Sequence, residues 1–297
     1  MQISIVMKIS LICPVWNTPR ELLRDCIRSV EALEGATEEN FEAIFIDDGS
    51  TDGSAALLDA AAKRCPFVKA VHQKNKGNSV ARNLGVEMAS GDYVAFLDCD
   101  DYLYKGFLGN ALNAAGTGKD VYHFNVYKRY EKDNPTLYPV FPHCYGDYIF
   151  PDFPANTWVF AWSRLVRRSF LLERGIRFPV PGEDVPRMFK GAYRNYVRGE
   201  DNYFCALLSA EAEVTKLEPW YGVVHVQRPS SLGKKGTTET DGGNIGLYLM
   251  YRGLWNEGVK RGNAALASFA DKCMRLHWGL ADHSLCPKGW KPPVLEK

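Results

Sequence analysis

The chain lacks any run of apolar residues that approaches the length of about 20 needed to cross a bilayer, and no charged-then-apolar segment with a cleavage site begins it. It has almost no net charge, because 36 Lys and Arg residues balance 35 Asp and Glu residues. Its eight cysteines form no Cys-x-x-Cys pair and no zinc-binding spacing. We therefore expect a cytoplasmic protein with reduced thiols, soluble or at most peripheral at a membrane surface, and we do not expect nucleic acid as a partner.

Strand and helix patterns alternate along the first 130 residues. Short apolar runs predict strands at 8–14, 43–47, 67–72 and 93–97, and amphipathic spacing predicts helices at 21–33, at 55–63 and from Ser79 onward. This alternation predicts an α/β fold with a mostly parallel, Rossmann-like sheet flanked by helices. The later patterns predict a strand at 121–127, a long loop at 134–154, a basic helix at 163–174 and further helices over 242–280.

Carboxylates cluster directly after two of the predicted strands. Asp47 and Asp48 follow the second strand, and Asp98, Asp100 and Asp101 follow the fourth. Ligands of open α/β sheets bind outside the carboxyl ends of the strands, so the two groups point at one crevice. Crowded carboxylates repel one another unless a cation compensates them, and a hard divalent ion does this. An acidic loop that caps the next helix is the alternative interpretation.

Four segments in order carry a resemblance to a known family. They are residues 13–17 (CPVWN), 46–54 (IDDGSTDGS), 75–85 (NKGNSVARNLG) and 96–101 (FLDCDD), with weaker matches at 162–170, 199–201 and 225–232. Together they resemble the ordered signature of glycosyltransferase family 2, which implies a GT-A fold. Residues 1–130 would then form the nucleotide-sugar-binding α/β half, residues 131–235 the acceptor-binding and catalytic half of the same domain, and residues 236–297 a C-terminal helical extension.

The resemblance also implies a nucleotide-sugar donor and transfer to an acceptor hydroxyl with inversion. The residues implied to bind the donor are Pro14, Asn17, Asp47, Asp48, Arg82 and Asp98. Pro14 and Asn17 would lie in the first strand-to-helix turn. Asp48 would accept a hydrogen bond from the imide N–H of uracil, with Asp47 as its neighbour, which favours UDP. Asp98 would hold the ribose, and Arg82 would reach the nucleotide or its phosphates.

The resemblance further implies a divalent cation, Mn²⁺ or Mg²⁺. Asp100 would bind it where it bridges the two phosphates, and it would neutralise charge as the nucleoside diphosphate leaves. Asp101 would ligate the ion too or cap the chain that follows. His225 matches a position that completes the metal or phosphate site in some family members, and a purely structural histidine is the alternative.

An acceptor hydroxyl loses its proton as it attacks, so a carboxylate is expected within hydrogen-bond reach of it. The acidic pair of the family corresponds to Glu200 and Asp201, with Asp201 as the base. The same Gly-Glu-Asp triplet also occurs at 182–184, which leaves Asp184 as an alternative. The family follows its acidic pair with a helix and a strand, as the patterns at 203–212 and 220–231 do here, so we favour Asp201.

The acceptor implied by the resemblance is a glycan or a lipid-linked glycan. Arg164, Arg167, Arg168 and Arg174 of the predicted basic helix would meet it if it is anionic. Transfer to a modified nucleic-acid base and a catalytically inactive sugar-nucleotide-binding module are alternatives. A nucleotidyltransferase also places a metal-binding Asp on an α/β sheet, but residues 13–17 lack the Gly-rich loop with Arg and Lys that such enzymes carry.

Overall fold

The structure, a computed structural model, describes residues 6–130, 138–139, 146–152, 160–185, 199–227 and 243–281. The first part alternates strand and helix as the sequence predicts. Its elements are β1 (Ile9–Val15), α1 (Arg20–Glu31), β2 (Phe41–Asp47), α2 (Ser54–Arg64), β3 (Val68–His72), α3 (Asn78–Met88) and β4 (Tyr93–Phe96). Every residue of β1 and β2 is buried, which explains why these strands are nearly continuous apolar runs.

The second part contains shorter strands and the longer helices. Its elements are β5 (Tyr102–Leu103), α4 (Phe107–Ala115), β6 (Val121–Tyr130), β7 (Tyr138–Pro139), β8 (Gly146–Tyr148), a 3₁₀ turn (Ala161–Ser163), β9 (Arg164–Arg167), α5 (Arg168–Glu173), α6 (Glu200–Glu211), β10 (Thr215–Gln227), α7 (Gly243–Lys260) and α8 (Ala264–Gly279). The strand expected at 121–127 and the helices expected over 242–280 are present. The long loop expected at 134–154 lies mostly outside the described residues.

All ten described strands belong to one sheet, with the order β3-β2-β1-β4-β9-β6-β10-β5 and with β7 beside β6 and β8 beside β10. The strands β3, β2, β1 and β4 are parallel, and so are β6 and β10. In contrast, β9 runs antiparallel between β4 and β6. The predicted α/β sheet flanked by helices is confirmed, and it is parallel in its first half and mixed in its second.

The basic helix predicted at 163–174 is wrong for its first half. The residues Arg164–Arg167 form β9, and α5 begins only at Arg168. Leu165 and Val166 pack into hydrophobic cores on opposite faces of the sheet, which is the two-residue period of a strand. The apolar residues of this short segment fit both the helical and the strand period. The segment forms a strand because it lies between β4 and β6 and pairs with both.

The four arginines expected on that helix do not form a common basic face within residues 160–185, which the structure describes in full. Arg164 is completely buried. Arg167 pairs with Asp120, and Arg168 donates hydrogen bonds of 3.0 and 2.9 Å to two backbone oxygens of α3. Only Arg174 is exposed, at the end of α5. The four arginines therefore do not share one surface that could contact an anionic acceptor.

The helices cover two hydrophobic cores, one on each face of the sheet. One core contains Leu23 of α1, Leu58 of α2 and Phe107 of α4. The other is covered by α3, α5 and α6, and Met250 of α7 and Met274 of α8 are buried in it as well. The C-terminal helices thus contribute to the core on this face of the sheet, while the division of the chain at residues 130 and 235 stays a prediction. No helix that the structure describes is long and apolar enough to span a membrane.

The turn after β2 packs tightly against the loop before α3 at the carboxyl edge of the sheet. Gly49 in this turn has a φ of 74°, and a Cβ atom on it would lie 2.9 Å from the backbone nitrogen of Asn75. Glycine meets both the left-handed conformation and the close approach. The carboxylates of Asp47 and Asp48 are consequently held beside the loop that leads into α3.

Candidate active site

Asp48 is buried at the end of β2, where it holds the loop before α3. Its carboxylate accepts a hydrogen bond of 2.6 Å from Nε2 of Gln73 and bonds of 2.8 Å from the backbone N–H groups of Lys76 and Gly77. A carboxylate has about four acceptor positions, so one position remains for a ligand. Asp48 therefore shapes this loop, and its bond to a nucleobase stays a prediction.

Asp47 anchors the turn that follows β2. It accepts a hydrogen bond of 2.9 Å from the backbone N–H of Ser50, and its other oxygen lies 2.9 Å from Nδ1 of His72. Burial by itself would raise the pKa of Asp47, but the hydrogen bonds from Ser50 and His72 outweigh burial and lower this pKa. Both oxygens thus contact protein groups, and a contact of Asp47 with the nucleotide stays a prediction.

The turn after β1 begins at Trp16, so the prediction that Pro14 lies in this turn is wrong. Pro14 is buried within β1, opposite Ile46 of β2. Because β4 stops pairing with β1 at Ile12, the missing N–H of Pro14 removes no hydrogen bond to β4. Trp16 is 48% exposed at the end of β1. The sequence reasoning did not single out this indole, although a large aromatic residue between two motif residues was the available signal.

Asn17 links the turns that follow β1 and β2. Its backbone N–H donates to Oγ of Ser50 at 3.0 Å, and its Oδ1 accepts from the backbone N–H of Thr51 at 2.8 Å. Its φ of 44° lies in the left-handed region, which asparagine tolerates better than most residues. Asn17 is therefore at the predicted place, where it fixes the shape of the crevice between the two strand ends.

Three carboxylates converge after β4. One oxygen from each of Asp98, Asp100 and Asp101 lies within 4.8 Å of the others. Asp98 and Asp100 are half-buried, and Asp101 is buried. Carboxylate oxygens are the ligands that Mn²⁺ and Mg²⁺ prefer, and their mutual repulsion favours a bound cation. The chemistry of this set of ligands fits the divalent ion that the sequence predicts.

Asp101 connects this cluster to β10. It accepts a hydrogen bond of 2.8 Å from the backbone N–H of Val226, and Nδ1 of His225 lies 3.0 Å from its Oδ2. The ring of His225 also stacks on Trp162, with ring centroids 5.3 Å apart and an angle of 9° between the planes. These contacts fix the imidazole with Nδ1 engaged, which leaves Nε2 as the nitrogen that can bind a metal or phosphate.

The guanidinium of Arg82 lies between the acidic cluster and the start of α6. Its Nη2 donates to Asp98 at 2.8 Å, and its Nη1 donates to Asp201 at 3.2 Å and lies 3.5 Å from Glu200. Arg82 is 3% exposed, and its guanidinium lies 5.1 Å from the centre of the Phe178 ring. One buried cation therefore joins three carboxylates from two distant parts of the chain.

Glu200 and Asp201 are the first two residues of α6. Gly199 precedes them with a φ of 77°, and carboxylates in a first helical turn are favoured by the helix dipole. Burial raises the pKa of Glu200 to about 7, with a further contribution from the charge of Asp201. Burial also raises the pKa of Asp201, against the opposing effect of Arg82. Two carboxyl groups with raised pKa values beside a buried cation are an arrangement suited to proton transfer.

Asp184, the alternative base, has a different environment. Its Oδ1 accepts from Arg177 at 3.0 Å, and its Oδ2 accepts from the backbone N–H of Val180 at 2.8 Å. These bonds close the turn that precedes residue 185, and none of the contacts described for Asp184 involves Arg82 or the acidic cluster. Asp201, in contrast, bonds Arg82 beside the acidic cluster, and the choice of Asp201 as the base stays a prediction.

Solved structures share this architecture at low sequence identity. TarS 1-349 of S. aureus, in complex with UDP-GlcNAc, aligns with a TM-score of 0.68 and 17% identity over 92% of this chain and 72% of that chain. The mannosyltransferase PcManGT from Pyrobaculum calidifontis, in complex with GDP-Man and Mn²⁺, aligns with a TM-score of 0.57 and 16% identity over 98% of this chain and 78% of that chain. These likenesses confirm the GT-A type of fold.

Sequence comparisons give the family. EpsH of Bacillus subtilis (strain 168), whose name describes it as a glycosyltransferase, is 32% identical over 180 residues, 59% of this chain and 51% of EpsH. The glycosyltransferase GlyG of Streptococcus pneumoniae serotype 4 (strain ATCC BAA-334 / TIGR4) is 36% identical over 101 residues, 34% of this chain and 32% of GlyG. The chain thus spans about half of EpsH and about a third of GlyG. The sequence model described as glycosyl transferase family 2 matches residues 10–175, which is more than half of the 297 residues. The chain belongs to glycosyltransferase family 2.

Proposed function

We propose that the chain is a metal-dependent, inverting glycosyltransferase that moves a sugar from a nucleotide-sugar, favoured as a UDP-sugar, to a hydroxyl of a glycan or lipid-linked glycan. One observation carries the proposal. Arg82 binds Asp98 with one nitrogen and Asp201 with another, so the carboxylate cluster and the candidate base lie on two sides of a single guanidinium. A donor held by the cluster would have its reacting carbon close to Asp201.

The donor would bind in the crevice between the carboxyl ends of β1, β2 and β4. Asn17 and Asp48 shape this crevice through their bonds to neighbouring loops, and Asp48 keeps one acceptor position for an imide N–H. The exposed indole of Trp16 offers a surface on which a base can stack. The UDP-GlcNAc bound by TarS supports a UDP-sugar, while the GDP-Man bound by PcManGT keeps the nucleotide open to measurement.

Asp100 and Asp101 would hold the metal together with Nε2 of His225, whose Nδ1 is bonded to Asp101. Asp98, predicted to hold the ribose, lies within 4.8 Å of both carboxylates, close enough to be a further ligand. The bound ion supplies Lewis-acid neutralisation of the leaving diphosphate. Asp100, which is half-buried in this cluster and matches the metal-binding position that the family resemblance implies, is our first choice as the essential ligand. Asp101 also anchors β10, so its substitution would affect both stability and binding.

Asp201 would take the proton of the acceptor hydroxyl. At the same time the hydroxyl oxygen would bond to the anomeric carbon, and the bond from that carbon to the diphosphate oxygen would break. A single displacement of this kind inverts the anomeric configuration. Glu200 and Arg82 would set the charge around Asp201 during the step. The exposed Arg174 is the one residue of the predicted basic segment that could still meet an anionic acceptor or membrane surface.

The test is a thermal-shift measurement with UDP, GDP, CDP and dTDP, with and without Mn²⁺. We expect one nucleotide to raise the melting temperature in the presence of Mn²⁺ and this shift to disappear in Asp100→Ala. Asp25→Ala, an exposed aspartate of α1, is the matched control and keeps the full shift. Nucleotide binding without turnover of any nucleotide-sugar would point to the inactive binding module, and no shift with any nucleotide would contradict the proposal.

A further inference from the structure

Arg129, near the end of β6, carries a charge that no carboxylate compensates in the described part of the chain. Its Nη1 donates to the hydroxyl oxygen of Tyr102 at 3.5 Å, and its Nε is buried without a hydrogen-bond partner. No ion pair joins Arg129 to another described residue. An arginine stays protonated in proteins, and a half-buried guanidinium is costly unless an opposite charge lies against it. The position of Arg129 therefore calls for an anionic ligand.

Arg129 lies at the edge of the sheet that carries the acidic cluster. It is in register with Val226 of β10, and the backbone N–H of Val226 donates to Asp101 of that cluster at 2.8 Å. Neighbouring strands lie about 5 Å apart, which is less than the length of an extended arginine side chain. A ligand that is bound beside the cluster can therefore meet the guanidinium of Arg129.

The alternation of side chains along β6 places Arg129 on the sheet face that α6 covers. Phe124 and Val126 pack into the core that contains residues of α1, α2 and α4, so Arg129 points to the opposite face. Val121, an even number of residues before Arg129, is buried in the core on that opposite face, to which α6 also contributes. The proposed base Asp201 lies in the first turn of α6. Arg129 is therefore on the side of the sheet from which the acceptor must approach the base.

Half-buried tyrosines surround Arg129 on this face. Tyr127, two residues before Arg129, stacks on Tyr221 with ring centroids 4.0 Å apart and an angle of 11° between the planes. Tyr104 adds a third ring, whose centroid lies 5.2 Å from that of Tyr127. Partly exposed aromatic rings offer an apolar surface to a sugar ring, and a guanidinium binds a phosphate with two parallel hydrogen bonds. The group as a whole matches a sugar that carries a phosphate.

We propose that Arg129 binds a phosphate group of the acceptor, so that the acceptor is a phosphate-bearing glycan. This inference rests on the proposed function, because it takes the chain as a transferase with Asp201 as its base. It names a class of acceptor that the arginines of residues 163–174 do not indicate, since those arginines share no common surface. The diphosphate of the donor is the other phosphate near this edge, and the experiments separate the two sources by filling the donor site first.

The first test measures calorimetric binding of glycerol 3-phosphate to the chain saturated with Mn²⁺ and UDP, or with whichever nucleotide the thermal-shift measurement identifies. We expect the unmodified chain to bind glycerol 3-phosphate but not glycerol, and Arg129→Met to bind it at least about tenfold more weakly. Arg129→Lys should recover part of the loss, because it keeps the charge. Arg28→Met, which removes an exposed arginine of α1, is the matched control and keeps the binding. Equal binding by Arg129→Met and the control, or no binding by the unmodified chain, would overturn the proposal.

The second test measures the affinity of the same variants for the nucleotide in the presence of Mn²⁺, together with their melting temperatures. We expect the nucleotide affinity of Arg129→Met to equal that of Arg28→Met, and its melting temperature to be no lower, because Arg129 has no described ion pair to lose. A nucleotide affinity lowered at least about tenfold, with the binding of glycerol 3-phosphate retained, would assign Arg129 to the donor diphosphate and overturn the proposal. Failure of the unmodified chain to bind any nucleotide would contradict the proposed function instead, and the binding of glycerol 3-phosphate to the nucleotide-free chain would still decide whether Arg129 binds phosphate.

Discussion

Asp98 and Asp201 are hydrogen-bonded to two nitrogens of the same buried guanidinium, that of Arg82, at 2.8 and 3.2 Å. Asp98 follows the central strand β4, and Asp201 begins α6, so these bonds join the two halves of the site. The charge of Arg82 allows three half-buried carboxylates to lie close together.

Substitution of Arg82 should reduce turnover more than it reduces nucleotide binding. Arg82→Lys keeps the charge, but a single ammonium cannot bind Asp98 and Asp201 with separate nitrogens in a fixed plane. A hydrogen bond to a charged group contributes about 1.5–3 kcal/mol, so we expect turnover to fall by about 10-fold or more. Steady-state kinetics check this. Arg24→Lys, on the exposed face of α1, serves as control, and equal activities of the two variants would contradict the account.

Gly49→Ala should destabilise the protein more than Gly35→Ala. Both glycines have a φ near 75°, so both variants bear a left-handed strain of about 1–2 kcal/mol. A Cβ on Gly35 meets nothing within 4 Å, whereas a Cβ on Gly49 would lie 2.9 Å from the backbone nitrogen of Asn75. The difference in urea unfolding midpoint between the two variants measures the cost of the close contact between the turn after β2 and the loop before α3. Equal midpoints would show that this loop moves away without cost.

Glu42 should stabilise the fold above about pH 4.5 and lose this effect in acid. Burial by itself raises the pKa of this carboxyl, but hydrogen bonds from Lys69, Ser10 and Ser90 outweigh burial and lower the pKa to about 2. A lowered native pKa gives stability that is present above the unfolded value and is lost as the pH falls toward 2. The contribution of Glu42 to the free energy of unfolding is at most about 3 kcal/mol. Because Lys69 is half-exposed, solvent screens its charge and reduces this contribution.

Unfolding measured between pH 6 and pH 2 tests this contribution. The unmodified chain should lose stability over this interval relative to Glu42→Gln, which lacks the titrating group. Glu38→Gln, an exposed control, should follow the unmodified chain. Parallel curves for the unmodified chain and Glu42→Gln would show that the carboxylate does not contribute.

The sequence predicted the parallel strands and the acidic strand ends because both are local signals. β1 and β2 are apolar runs, and Asp98, Asp100 and Asp101 directly follow β4. The sequence could not predict that Arg164 is buried, because the pattern of residues 163–174 fits either a helix or a strand. The strand forms because β9 pairs with β4 on one side and with β6 on the other. Likewise, proline is common in turns, so the sequence favoured a turn at Pro14. Pro14 is tolerated inside β1 because β1 no longer pairs with β4 at this position, so its missing N–H breaks no hydrogen bond to β4.

The bond of Arg82 to Asp201 was beyond sequence reasoning for another reason. The two residues belong to separate motifs, and neither motif carries information on the distance between α3 and the start of α6. Phe178 contacts both elements, because Asn83 of α3 donates to its carbonyl oxygen at 2.9 Å and its ring stacks on Phe204 of α6, with ring centroids 4.0 Å apart. The predicted nucleotide-binding residues could thus be placed near strand ends from the sequence, whereas the contact of Arg82 with Asp201, the proposed catalytic base, required the tertiary structure.

The most direct measurement compares Asp201→Asn with Asp184→Asn for nucleotide-sugar turnover, with Mn²⁺-dependent nucleotide binding measured on the same preparations. The account predicts that Asp201→Asn binds the nucleotide as the unmodified chain does and loses turnover by about 10²-fold or more, because the base is removed and the donor crevice is intact. Asp184→Asn should retain most of its turnover. Nearly full turnover by Asp201→Asn, with the loss found in Asp184→Asn, would contradict the assignment of the base to α6.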